Sequence, residues 1–352
     1  MNYADNISVG GFRTGHVQGI AIDKNREYMY YSFTTCLVKS DLNGRIIGTV
    51  NGLAGHLGCI AYNSEDGRVY GSLEYKHDCI GKGILGNMDH VVEVEDGFYI
   101  AIFDVDKIDR MDMDAEKDGI MTAVYLKEVF DDYTAPGHRY GCSGIDGTTF
   151  APLPGVSDDK NYLYVAYGVY SDRNRQDNDH QVILRYDIKD WPRYEKPLNQ
   201  ASMHKLGPSR PDSKYFVYTG NTAFGIQNLE YDPVTKLMFA AVYRGEKKQF
   251  PNYPMYLIDM TKKAEVNLLK GLNEEGEQLS LADCGEYDSE SGIRGDSFGY
   301  GSTGMISLGD GYFYFSHPAS EDGTHSTTVK LYRYDSANGF TRCGQDAQQH
   351  SF

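Results

Sequence analysis

The chain repeats itself, and this limits it to folds that are built by copying one small unit. Five segments share a pattern: a short run beginning near a Gly or His, a turn, then a strand rich in Tyr and Phe. The first runs His16–Asp23 and then Tyr28–Phe33, and the second runs His56–Asn63 and then Arg68–Leu73. Their openings align without a gap over eight residues, 40 positions apart. The third is Gly144–Phe150 with Tyr162–Tyr167, the fourth Gly225–Asp232 with Leu237–Tyr243, and the fifth Gly301–Ser307 with Tyr312–Ser316. A third strand follows in each unit: Leu37–Asp41, Phe98–Asp104, Val182–Asp187, Tyr256–Asp259 and Val329–Asp335. Each ends at Asp, a residue that starts turns by bonding to its own backbone. A fourth strand is expected at Ile46–Val50, Met121–Leu126 and Glu265–Leu269.

A unit of about four strands cannot bury both faces alone, so repeated units must pack on one another. Closing five of them into a ring removes the open sheet edges that would otherwise invite aggregation. The expected fold is therefore all-β, a β-propeller of five four-stranded blades around a central channel. A sandwich or a solenoid does not account for the recurring pair of a first strand and a Tyr-rich second strand. The expected blades are residues 14–53, 54–133, 138–206, 222–272 and 299–345 of a single domain spanning 1–352, with room for a further blade in 75–140. Residues 3–12, which include Ile7 and Val9, are a candidate strand for closing the ring. The composition agrees, with 29 Tyr and 39 Gly against one Trp. Tyr suits half-buried strands and Gly suits tight turns.

In blade pattern the chain resembles the five-bladed β-propeller superfamily, which includes many glycoside-active enzymes and some lectins. No family-specific motif accompanies that pattern. The resemblance implies a ligand site at one mouth of the channel and raises the expectation of a sugar or glycoside as ligand.

Propeller topology says which residues should meet at that mouth. The starts of the first strands bring His16, Gln18, His56, Asp146, Gln227 and Thr303. His16 and His56 are equivalent in neighbouring blades, and so are Gln18, Asp146, Gln227 and Thr303, with Gly58 as the gap in the row. The loops between second and third strands bring Glu74, Tyr75, Tyr170, Arg173, Tyr243, Arg244, His317 and His325. Long loops on a rigid scaffold often carry function.

Asp146 and Glu74 are the candidate acid and base, since glycoside chemistry commonly needs two carboxyl groups. Blade-to-blade hydrogen bonding is the alternative use for such acids, and Glu230 is a third, deeper carboxylate. His16, His56 and His138 are candidates to hold a divalent metal or to orient substrate; loop capping inherited from blade duplication is the other reading. Gln18, Gln227, Tyr75, Tyr170, Arg173, Tyr243, Arg244 and His317 are candidate substrate contacts. The acidic stretch 104–119 spaces Asp112, Asp114, Glu116 and Asp118 like a calcium loop. It has Lys117 where such a loop needs Gly, so a solvated turn is expected instead.

Charge narrows the partners. Fifty acidic against 34 basic residues give a net charge of −16, which repels nucleic acid and anionic membrane surfaces. A small-molecule or carbohydrate ligand is expected. The first ten residues lack a signal peptide pattern, and no apolar run reaches the ~18 residues of a membrane span. The six scattered Cys then read as free thiols, and a cytoplasmic location is expected. Two functions fit: an enzyme acting on a sugar or glycoside, hydrolase or lyase, with or without a metal; or a non-catalytic propeller that binds a ligand or protein.

Overall fold

The structure, a computed structural model, describes residues 3–78, 81–83, 94–157 and 160–344. Its second strands show why the sequence reads as it does. Tyr28–Phe33, Tyr162–Val169 and Leu237–Tyr243 are buried along nearly their whole length. Successive side chains on a strand point to opposite faces. Tyr30 accordingly packs into the core shared with the second blade, and Tyr31 into the core shared with the last. Blade four divides the same way: Met238 and Ala240 face blade three, and Phe239 and Ala241 face blade five. There are five such apolar cores, one for each boundary between adjacent blades. The Tyr repeat is therefore a packing feature, since large rings fill the wedge between diverging sheets.

The inner strands Val17–Ile22, His56–Asn63, Cys142–Ala151, Ala223–Asp232 and Met305–Ser307 neighbour one another in cyclic order. The chain is thus a five-bladed β-propeller. The ring closes through the N-terminal strand Asn6–Phe12, which pairs antiparallel with Thr324–Asp335 of the last blade. Ile7 and Val9 are buried there, as the amphipathic pattern suggested.

Three features bear on the sequence expectation: the first corrects it, and the other two agree with five blades and with a solvated acidic turn. Glu265–Leu268 does not complete blade four. It pairs with Glu275–Gln278, which joins Ser213–Tyr218 and lengthens the blade-three sheet to six strands. Blade four keeps a three-stranded sheet, with single bridges from Ile258 to Leu281 and from Met255 to Asp296. The strand at 265–268 is exposed at every position, so no burial pattern ties it to one blade. Second, the described part of 75–140 adds no further blade. It supplies Gly97–Phe103 and Met121–Tyr125 to blade two, and a helix, Lys127–Thr134, against it. Third, the acidic stretch is a turn that satisfies itself. Asp114 accepts the Glu116 and Lys117 amides and the Lys117 ammonium, and Met113–Asp114 lies parallel to the edge of blade one.

Cys36, Cys59 and Cys142 are buried thiols, while Cys284 and Cys343 are half-buried ones; Cys79 lies outside the described residues, as does much of the Gly-rich insertion that follows it. Among the described residues no helix is long and apolar enough to cross a membrane.

Candidate functional site

Four of the five inner strands carry a β-bulge, and the bulges fall on one row. Register slips at Gln18 in blade one, at Gly58–Cys59 in blade two, at Asp146–Gly147 in blade three and at Gln227 in blade four. A bulge inserts a residue and re-aims its side chain. Here it turns Gln18, Asp146 and Gln227 into a cavity of about 770 Å³ at the channel mouth. In the fifth blade the strand begins only at Met305, so Thr303 stays in a turn outside the cavity lining.

The gap in the row has a steric cause. A Cβ on Gly58 would stand 2.2 Å from Asp146 Oδ1. Blade two gives up its side chain so that the Asp146 carboxyl can lean across and accept the Cys59 amide at 3.2 Å. Gly144 does the same for the second carboxylate, since a Cβ there would lie 2.0 Å from Glu74 Oε2. Gly144 also has φ of 131°, which disfavours other residues.

Glu74 sits directly across the blade-two hairpin from His56. Its Oε1 lies 3.5 Å from His56 Nδ1 and 2.5 Å from Lys76 Nζ, and its Oε2 accepts the Ile145 amide at 3.1 Å. Lys76 is only 5% exposed and also donates to the Ser143 carbonyl at 2.8 Å. Asp78 Oδ2 is 3.5 Å from the same ammonium. Burial by itself would raise the Glu74 pKa, but the charges of Lys76 and His56 reverse this and hold it below the carboxylate norm. Lys76 is raised by the same pairing against the opposing effect of burial. His56 is raised too: burial acts downwards, and bonding to Glu74 with the charge of Asp146 outweighs it. Asp146 goes the other way. Burial, reinforced by Glu74 and opposed by His56, pushes its pKa up to about 7. Two neighbouring carboxyl groups thus differ in charge state at neutral pH, the arrangement that separates an acid from a base.

Aromatic side chains wall the cavity. Tyr243 and Tyr170 line it, and Phe224 stands edge-on to Tyr243 with ring centroids 6.5 Å apart. Phe224 is 46% exposed and has φ of 63°. On the far side Gln18 bonds to His16 Nε2 and Thr34 Oγ, each at 3.2 Å. The His16 pKa is lowered by burial and by the charges of His56 and His325.

Of the residues expected here, His16, Gln18, His56, Glu74, Asp146, Tyr170, Gln227, Tyr243 and His325 line one cavity. The others stand elsewhere. Tyr75 is buried in a blade core, its hydroxyl bonded to Gln200 at 2.9 Å. Arg173 pairs with Glu246 on the open surface, and Arg244 is exposed outside the lining. His317 is in mid-strand rather than a loop, between Tyr300 and Tyr332, and burial depresses its pKa to about 4. His138 bonds through Nδ1 to the Tyr133 carbonyl at 2.6 Å and packs between Tyr133 and Tyr170. His16, His56 and His138 therefore do not form a triad. Among the described residues no group of three or more His, Cys, Asp or Glu side chains is arranged to hold a metal ion. Glu230 lies at the opposite end of the inner strands, in a separate cavity of about 270 Å³. Sequence reasoning passed over Lys76, although its place two residues after Glu74 puts both on one face of a strand. It also passed over Arg13, Thr14 and Phe224, which carry no repeat signal.

No family model matches the chain, and a search of curated proteins returns no match. Among solved structures, one that is similar is the crystal structure of the soluble aldose sugar dehydrogenase from Escherichia coli in its apo form. It is 10% identical, spans 92% of this chain and 99% of its own, and superposes with a TM-score of 0.41. A likeness of that degree bears on neither activity nor site residues.

Proposed function

We propose that the protein acts on a sugar or glycoside at this channel-mouth cavity, by proton transfer in a hydrolytic or eliminative reaction. The observation that carries the reading is the split pair: Asp146, with a pKa of about 7, beside Glu74, held ionised by Lys76. Asp146 can give up a proton near neutral pH and take it back, which is what a general acid–base group must do. Burial keeps the proton on Asp146, and the fixed negative charge of Glu74 adds to it. His56 stands 3.5 Å from Glu74, and its charge also acts on Asp146. Tyr170, Tyr243 and Phe224 offer faces for a pyranose ring, and Gln18 and Gln227 offer amides for its hydroxyls. A cavity of about 770 Å³ holds a ligand of that size.

Asp146→Asn is the discriminating variant because it keeps the shape and removes the proton. A screen of aryl glycosides, oligosaccharides and uronate-containing polymers should yield a substrate whose turnover falls ~10²-fold or more in the variant. Equal turnover by both proteins would end the reading. A second reading, a non-catalytic binding propeller, draws on the exposed Phe224, an apolar anchor at the rim. It predicts ligand binding that Phe224→Ala weakens and Asp146→Asn leaves alone.

A further inference from the structure

The cavity is electrically two-sided. Its acids, Glu74, Asp78 and Asp146, are contributed by blades two and three, where Lys76 accompanies them. The opposite wall is built from the segment entering blade one and from the last blade, and it presents Arg13, His16 and His325. The imidazoles of His16 and His325 face each other with centroids 6.5 Å apart. Among the described residues no carboxylate bonds to any of these three groups. Arg13 is exposed and makes no hydrogen bond, ion pair or ring contact with a described residue. Arg26, Arg68, Arg139, Arg175 and Arg342 are engaged, and Arg210 and Arg244 are as free as Arg13, so what singles Arg13 out is its place in the cavity lining.

Two further observations point at the same wall. Thr14 Oγ and His325 Nδ1 are buried without a hydrogen-bond partner. Buried polar atoms are nearly always bonded, so orphans beside a cavity invite a partner, and His56 Nδ1 and Asn51 Oδ1 elsewhere in the lining are orphaned as well. Thr34 shapes this wall with φ of 41°, a conformation that a β-branched residue rarely adopts. Gly15 gives way to it, since a Cβ there would lie 2.3 Å from Thr34 Oγ. Backbone strain of this kind tends to collect at ligand sites.

We infer that Arg13, His16 and His325 form an anion subsite, so that the ligand of this cavity is a sugar bearing a carboxylate or a phosphate. The inference rests on the proposal that this cavity is the sugar site, and it names the ligand class. A planar guanidinium grips either oxyanion with two parallel hydrogen bonds. The imidazoles add donors from the flank, and the ring of the sugar would then extend across the cavity towards Asp146. The charge layout sets this direction: the anionic end meets the Arg13 guanidinium and keeps away from Glu74.

The test is binding by calorimetry to the full chain and to Arg13→Ala, with four probes: glucose, glucuronate, glucose 6-phosphate and inorganic phosphate. Arg13 is exposed, so the variant should fold; His325→Ala serves as the second variant. At least one anionic sugar should bind about tenfold to a hundredfold tighter than glucose, and Arg13→Ala should erase that margin. Preference for glucuronate would identify a carboxylate ligand, and preference for glucose 6-phosphate a phosphate one. If glucose binds as well as both anionic sugars, the subsite is wrong and the sugar site stands. If inorganic phosphate binds in an Arg13-dependent way while all three sugars fail, the subsite stands and the sugar reading falls. No binding by any probe overturns the subsite.

Discussion

The two mouths of the channel contain the same element in different company. At each, a carboxyl group on an inner strand is buried until it stays protonated near neutrality: Asp146 at about 7 and Glu230 at about 8. Glu230 is bonded into the frame, accepting the Ser307 amide at 2.9 Å and the Thr149 hydroxyl at 3.4 Å. Its cavity is a third of the size of the other. Asp146 accepts one amide and faces His56, Glu74 and Lys76 across open space. A perturbed carboxyl alone is thus a common by-product of building an inner strand. What sets one mouth apart is a second ionisable group with the opposite shift, held there by a buried cation.

The largest effect expected from this comparison is on turnover. Asp146→Asn should lower kcat/KM on the substrate found by screening by ~10²- to 10⁴-fold. Glu230→Gln, assayed on the same substrate, should leave it within about twofold, since Glu230 stands in the other cavity and the replacement amide can still accept from Ser307. Equal losses in the two variants would erase the distinction between the mouths.

Next comes the buried cation. Lys76→Met leaves Glu74 buried and ionised with only His56 and the Ile145 amide beside it, which costs about 3–5 kcal/mol in such sites. Urea unfolding should register it as a shifted midpoint. Pairing Lys76→Met with Glu74→Leu removes both charges and should recover most of the loss. Persistent destabilisation in the double variant would mean that packing, not charge, is what Lys76 supplies. At pH 4, where its carboxyl is protonated in both states, Glu230→Gln should move the midpoint little, having no cation to strand.

The two mouths should also respond alike to pH, and the sign is fixed. Each carboxyl has a folded pKa above its unfolded value of ~4. Between ~4 and the folded value, the folded protein holds a proton that the unfolded chain has released, so stability falls as pH rises through that window. For Asp146 the loss is complete just above pH 7, and for Glu230 just above pH 8. Asp146→Asn and Glu230→Gln should each raise the melting temperature at pH 9, by an amount worth about 4 kcal/mol, and change little at pH 4. Calorimetry at the two pH values reads this directly.

The repeat made the blades legible because each strand two is buried on both faces and must be apolar throughout. Gln18, Asp146 and Gln227 were legible for the same reason: a polar residue at one place in every copy but the second, where Gly58 stands, is conspicuous. The bulges that aim them were not, since a bulge is a register slip between strands and leaves no local signature. Tyr75 was misplaced because its loop position in sequence continues as strand, which carries its ring into the core. His317 failed likewise, as its hairpin extends to Glu321 before turning. Lys76 was invisible for a different reason. A lysine beside a carboxylate reads as a surface pair until a fold buries both, and that burial depends on Ser143 and Ile145 from the next blade. The misassigned strand at 265–268 has no buried face to declare its partner.

The smallest effect sharpens the comparison from outside both mouths. His180 lies within blade three at 1% exposure, between Phe216 and Tyr218, and neither of its ring nitrogens has a hydrogen-bond partner. Burial, helped by the charge of Lys270, lowers its pKa to about 4. The folded pKa is below the unfolded one, so the unfolded chain binds more protons between pH ~6.5 and ~4, and stability falls as pH drops through that range. His180→Phe removes two unpaired polar atoms from an aromatic pocket and should stabilise the fold by about 1 kcal/mol at pH 8. The gain should grow at pH 5, where the wild-type ring resists a proton that the unfolded chain accepts. Turnover at neutral pH should not change. A loss of turnover in this variant would show that a strongly shifted group need not stand in the cavity to matter, and that the contrast between the two mouths is drawn too sharply.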